Sequence, residues 1–180
     1  KLRYSKGTRP IKGRCLAIAE WPTDSSAGSR GYADYALFID KQMVAIIEAK
    51  AIHKDIPSVI DYQCKDYSRN IRGVDETYQM GTWGNYKVPF TFATNGRPYL
   101  EQYETKSGIW FLDLRRPENV PRTLKGWMSP IGMLELLEKD VAAGDQALRK
   151  MPYDLLRDKD GLNLREYQLK AIQAAENAVI

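Results

Sequence analysis

Two strand-length apolar runs, Ala33–Ile39 and Gln42–Lys50, are separated only by Asp40-Lys41. Both are dense in β-branched and aromatic residues, which favour extended backbone. A gap that short leaves the two strands one choice, an antiparallel hairpin. Both runs are apolar on both faces, so the hairpin belongs in the middle of a sheet covered on both sides. The polar exceptions are Asp34 near the start of the first run, with Glu48 and Lys50 near the end of the second.

Where these residues meet depends on the turn. If Asp40, Lys41 and Gln42 form a three-residue turn, Ile39 pairs with Met43 and Asp34 lies opposite Glu48. Directly paired residues point to one face with Cβ atoms about 5 Å apart. Lys50, two residues beyond Glu48, shares that face. A two-residue turn puts Asp34 on the other face unless a bulge restores the register. A site that uses both carboxylates therefore requires an odd-length turn or a bulge. Two carboxylates that close repel by about 3 kcal/mol at an effective dielectric of 20. Lys50 offsets part of this cost, and a hard divalent cation with oxygen ligands, Mg²⁺ or Mn²⁺, offsets more. The backbone carbonyl of Ala49 is a further candidate ligand. Such a cation polarises a phosphate oxygen and acidifies water, while an ammonium stabilises developing negative charge. The other reading is a hairpin with a solvated carboxylate pair and a snorkelling lysine.

Composition narrows the alternatives. One His and two Cys exclude a Cys-based zinc site or a disulfide scaffold. Cys15 and Cys64 both sit in apolar, helix-like patterns and are expected to be buried thiols, which fits a cytoplasmic setting. No run approaches the roughly 18 apolar residues of a membrane helix, so no membrane partner is expected. The chain begins with Lys, and no signal peptide is recognisable. Lys1, Arg3, Lys6, Arg9, Lys12 and Arg14 form a basic opening segment with no acidic residue, suited to a phosphate backbone or to simple solvation.

Elsewhere, Thr8-Arg9-Pro10 reads as a helix start, and Ile11, Cys15, Ile18 and Ala19 carry helical spacing to about Trp21. Trp21 to Gly31 reads as a loop. Asp55 to Asn70 is a helix with Ile60, Cys64, Tyr67 and Ile71 on one face and Gly73 as its C-terminal cap. Phe90–Thr94, Tyr99–Glu104 and Ile109–Leu112 read as strands. Pro130 to Val141 is an amphipathic helix, residues 141–163 a linker and Arg165 to Ile180 a final helix. Trp83, Trp110 and Trp127 are expected in the core or at an interface. Arg30, Lys54, Lys65, Arg69 and Arg72 flank the carboxylates and are candidate phosphate contacts. His53 is close enough in sequence to approach a scissile phosphate, though such a residue is usually polar loop surface.

Ala33-Asp34-Tyr35-Ala36-Leu37 followed by Ile46-Ile47-Glu48-Ala49-Lys50 resembles the PD-(D/E)xK nuclease motif. The likeness is to the N-terminal nuclease domain of type I restriction enzyme motor subunits, with Ala33 where the motif has Pro. Gln63-Cys64-Lys65-Asp66-Tyr67 matches the Gln-x-x-x-Tyr helix of the RecB-like subtype, and Thr94-Asn95-Gly96 is another family-like feature. The resemblance implies an α/β fold, a restriction-endonuclease-like core with a central mixed β-sheet flanked by helices on both faces. It implies Mg²⁺-dependent hydrolysis of DNA phosphodiesters by Asp34, Glu48 and Lys50, with Gln63 and Tyr67 in support. The family's upstream acidic metal ligand has no certain counterpart, and Glu20 is a candidate. Leu164-Arg165-Glu166-Tyr167-Gln168 resembles the opening of a superfamily 2 helicase motor, where Gln168 would contact adenine. No phosphate loop follows it, so ATP concerns only a longer protein. The expected organisation is a nuclease domain over 1–140, a linker over 141–163 and the start of a motor over 164–180. The implied partners are double-stranded DNA and the methylation and specificity subunits of a restriction complex. A non-catalytic docking module and a stand-alone RecB-like repair nuclease remain the competing readings.

Overall fold

The structure is a computed structural model that describes residues 2–24, 30–139, 146, 150, 153–157 and 162–179. The chain divides into two compact units, Lys1–Met133 and Leu134–Ile180. The first is built on a six-stranded mixed sheet in the order β1 (Cys15–Asp24), β2 (Arg30–Ile39), β3 (Gln42–Ala49), β4 (Phe90–Thr94), β5 (Ile109–Asp113) and β6 (Arg122–Thr123). Only β3 and β4 run parallel; every other neighbouring pair is antiparallel.

The central hairpin forms as its composition demands, with an irregular register. Ile39 pairs with Gln42, so Asp40-Lys41 is a two-residue turn and not a three-residue one. A β-bulge then separates Phe38↔Met43 from Leu37↔Ala45, and the ladder continues through Tyr35↔Ile47. The extra residue restores the pairing that sets Asp34 against Glu48. Asp40 adopts φ 56°, a conformation Asp tolerates better than most side chains.

One face of the sheet is covered by a helical run comprising Pro57–Val59, a π-helical stretch Ile60–Cys64 and Lys65–Arg69. Ile56, Ile60 and Cys64 pack there against Ala93, Trp110 and Leu112. Trp21, Ile18, Ala36, Phe38, Met43 and Ile46 form the adjoining core with Ile71 and Val88. On the other face Phe92 stacks against Phe111 and Trp127, with ring centroids 5.1 and 5.7 Å apart. Met133, in the first turns of the helix Pro130–Glu138, is buried on this side and lines a cleft with Leu37 and Ile47. A six-stranded mixed sheet with helices is the α/β architecture expected. In the second unit Leu169, on the helix Glu166–Val179, is buried, and Arg157 bonds Glu166 at 2.6 Å.

Several local expectations fail for identifiable reasons. The expected opening helix is β1 from Cys15 onward: Gly13 (φ 79°) interrupts helical backbone, and pairing with β2 outweighs a spacing that only mimicked a helix. Cys15 consequently lies exposed on an outer strand, not buried, whereas Cys64 is fully buried. Of the expected loop, Trp21 to Asp24 belong to β1 and Arg30 and Gly31 to β2, while residues 25–29 lie outside those described. Tyr99–Glu104 forms turns and enters a short 3₁₀ stretch, Glu104–Lys106, instead of a strand. The site helix ends at Arg69 with Asn70 as its cap, and Gly73 opens a separate 3₁₀ turn. Trp110 is buried as expected, Trp83 partly so, and Trp127 is half exposed despite its stacking on Phe92. The end of the expected helix at Val141 and most of the expected linker lie outside the described residues.

Candidate active site

The parallel β3–β4 ladder runs Glu48↔Ala93 and Ala49↔Thr94, and Lys50 N donates to Thr94 O at 2.7 Å. This pairing fixes the strand that carries Glu48 and Lys50. From β2, Asp34 Oδ2 accepts a hydrogen bond from Ala49 N at 2.7 Å, tying its carboxylate beside the Glu48–Lys50 segment. Glu48 is buried, at 5 % exposure. Its Oε1 accepts from Lys50 Nζ at 2.5 Å and from Gln63 Nε2 at 2.8 Å. Gln63 Nε2 also donates to Tyr67 OH at 2.7 Å, so the i, i+4 pair works as a unit. Gln63 lies within the π-helical stretch, a distortion that recurs at functional sites. The structure therefore brings together Asp34, Glu48, Lys50, Gln63 and Tyr67.

Glu48 Oε2 is buried and has no hydrogen-bond partner. A buried, unpartnered carboxylate oxygen carries a desolvation cost and calls for an explanation. Burial raises the Glu48 pKa, the bond from Lys50 works against that rise, and the Asp34 charge adds to it. Tyr67 is shifted upward by burial, opposed by its bond with Gln63. Under the helix, burial pushes the Cys64 thiol up to about 12, and its Sγ donates to Phe92 O.

Asp34, Glu48 Oε2 and the Ala49 carbonyl are the oxygen donors that could hold a hard cation. Among the described residues, no group of three or more His, Cys, Asp or Glu is arranged to hold a metal. Glu20, between Ala19↔Tyr35 and Trp21↔Ala33, neighbours Asp34 in the ladder, but Arg3 holds its carboxylate at 2.5 Å. It lines a separate pocket of about 530 Å³ with Tyr4, Tyr32 and Arg72.

The candidate DNA contacts are scattered. Lys54 and His53 are exposed just after Lys50. Lys65 pairs with Asp61 at 2.9 Å, and Arg69 bonds Tyr86 OH while lying over its ring. Arg72 faces the 530 Å³ pocket. Arg30 opens β2. The basic opening segment is partly folded onto the protein: Arg3 pairs with Glu20, and Arg9 lies over the Tyr4 ring. Gln168 belongs to the second unit, where its Oε1 accepts from Arg165 N at 2.9 Å. Residue patterns gave Asn95 and Arg97 no task, yet both bond the loop after Lys50: Asn95 Nδ2 donates to Lys54 O and Arg97 Nε to Ile52 O, each at 2.7 Å. The Thr94-Asn95-Gly96 turn was a visible signal without a role attached.

No helix among the described residues is long and apolar enough to cross a membrane. No solved structure matches the chain. The chain is 33% identical over 202 aligned positions to the type I restriction enzyme EcoKI endonuclease subunit of Escherichia coli (strain K12), covering 99% of this chain and 17% of that protein. Residues 1–137 match the family described as the type I restriction enzyme EcoKI endonuclease subunit second domain. The chain therefore belongs to the type I restriction enzyme endonuclease-subunit family.

Proposed function

We propose that this domain hydrolyses DNA phosphodiester bonds with the help of Mg²⁺ or Mn²⁺ held by Asp34, Glu48 and the Ala49 carbonyl. The observation that carries this reading is Glu48 Oε2, buried without a partner while Oε1 is committed to Lys50 and Gln63. When bound, the cation supplies Lewis-acid polarisation of a phosphate oxygen. Lys50 contributes an ammonium that stabilises developing charge or orients the attacking water. Gln63 keeps Glu48 Oε1 occupied, so that Oε2 is the oxygen left for a ligand, and Tyr67 fixes the Gln63 amide. The parent protein would be an ATP-driven restriction subunit acting on double-stranded DNA with methylation and specificity subunits in the cytoplasm. Gln168 is proposed as an adenine contact only in that longer protein.

The scarcity of acidic ligands favours a second reading, a nuclease-like module that docks DNA or a subunit without cutting. Plasmid restriction by the full-length complex separates the two. Glu48→Ala or Lys50→Ala is expected to lower cleavage on the order of a hundredfold or more, the scale seen when one transition-state stabiliser is removed. Persistence of both cleavage and ATP hydrolysis in these variants defeats the nuclease assignment. A docking module would also show no Mg²⁺-dependent stabilisation.

A further inference from the structure

The loop over 51–55 follows Lys50 directly and has an unusual combination of properties. Its side chains are exposed, with Ile52 at 63 %, yet its backbone is tied down along its length. Lys50 N bonds Thr94 O at one end, and Ile56 is buried in the core at the other. Between them Arg97 Nε donates to Ile52 O and Asn95 Nδ2 to Lys54 O, each at 2.7 Å, while Lys54 N closes a turn onto Ala51 O. Lys106 pairs with Asp55 at 3.0 Å.

The clamp is itself well supported. Asn95 is buried, and its Oδ1 accepts from Arg97 N. Gly96 turns the chain at φ 74°. Asn95 N donates to Gly108 O at 3.1 Å, and a Cβ at Gly108 would lie within 2.4 Å of the Arg97 backbone. Only glycine lets the turn approach this closely.

A large apolar side chain left in water on a rigid backbone is poised for contact, because little ordering remains to oppose binding. Here it is followed by His53 and Lys54 and stands two residues from Lys50, hence within about 7.6 Å along the chain. An apolar residue near lysine ammonium groups suits the groove edge and phosphates of a duplex. We propose that Ile52, His53 and Lys54 form a preset ledge that contacts duplex DNA next to the scissile phosphate, with Asn95 and Arg97 as its positioning residues. The ledge rests on the nuclease reading above. It gives the Thr94-Asn95-Gly96 turn a purpose, since the turn that continues β4 sets both the catalytic strand and the DNA contact.

The test uses the full-length subunit in its complex, with duplex plasmid as the probe. A photocrosslinking amino acid replaces Ile52, and in a control it replaces Ile131, which is 68 % exposed on the helix Pro130–Glu138. Crosslinking to DNA is expected from position 52 and only at background from position 131. Arg97→Ala is expected to lower the position-52 crosslink and cleavage about tenfold, with Mg²⁺-induced stabilisation unchanged; Arg97→Lys, lacking Nε, should not rescue. Ile52→Glu, a surface change that spares the fold, should also cut cleavage about tenfold. Crosslinks to protein instead of DNA, or full cleavage by Ile52→Glu, would overturn the ledge. Cleavage that survives Glu48→Ala defeats the nuclease reading instead, so the two failures are distinguishable.

Discussion

The central hairpin has two ends with opposite electrostatic histories. At the turn, Asp40 takes a left-handed conformation and its carboxylate is satisfied locally, accepting from Gly13 N at 2.5 Å. At the open end, Asp34 and Glu48 are brought together by a bulge, and one buried oxygen is left without a partner. The same two strands carry a carboxylate that supports the fold at one end and a pair that strains it at the other. The charge at the turn is met by a backbone donor, whereas the open end leaves a buried carboxylate oxygen without one.

The most demanding test of this contrast is the pH and metal dependence of stability. Burial raises the Glu48 pKa in the fold, so folding favours its protonated form. Its stabilising contribution is therefore full below the unfolded value of about 4.5 and is lost as pH rises through the higher folded value. Metal-free protein should lose stability over that window, and Glu48→Gln should abolish the effect. Near neutral pH, Mg²⁺ at a hundred times its dissociation constant is expected to add about 2.7 kcal/mol. For a chain of this size that corresponds to roughly 5–10 °C in thermal melts. Asp34→Ala should remove the Mg²⁺ response. A melt indifferent to both pH and Mg²⁺ would erase the difference between the hairpin's ends.

Much of this was legible in the residues because the hairpin is a local structure. Apolar runs, a short gap and three charged exceptions specify which residues converge, and Gln63 and Tyr67 follow from helical spacing. What stayed hidden was non-local. Whether the extra residue sits in the turn or in a bulge at Val44 is decided by packing, since both choices give the same carboxylate pairing. β1 escapes a reading by local pattern because its pairing with β2 comes from residues six to 24 positions away, while Ile11, Cys15, Ile18 and Ala19 happen to repeat like a helix. The Asn95–Arg97 clamp joins segments more than forty residues apart and leaves no periodic trace.

A milder test addresses the turn. Asp40→Ala keeps the left-handed backbone but removes the acceptor for Gly13 N. It should cost about 1–2 kcal/mol in urea unfolding, while Asp40→Asn should cost less, since Asn tolerates this conformation. Neither change should alter the Mg²⁺ response, because the turn lies at the far end of the strands. A turn substitution that weakened metal binding would mean the register at Asp34 is set from the turn rather than by the bulge.

The smallest effect separates the two cysteines. Cys15 pairs with Ile39 beside the turn and is exposed, whereas Cys64 lies fully buried beneath the site helix with its thiol raised to about 12. Only the thiolate reacts appreciably, and Cys64 is denied both ionisation and access. An alkylating reagent near pH 8 should therefore modify one thiol in native protein and two after denaturation, read by intact mass. Cys15→Ser should change stability by no more than about 0.5 kcal/mol, as expected for an exposed side chain. Native labelling of Cys64 would show that the helix carrying Gln63 and Tyr67 opens readily. Glu48 Oε1 would then lose its Gln63 donor and keep only Lys50, and the contrast between a strained site end and a relaxed turn end would rest on the strands alone.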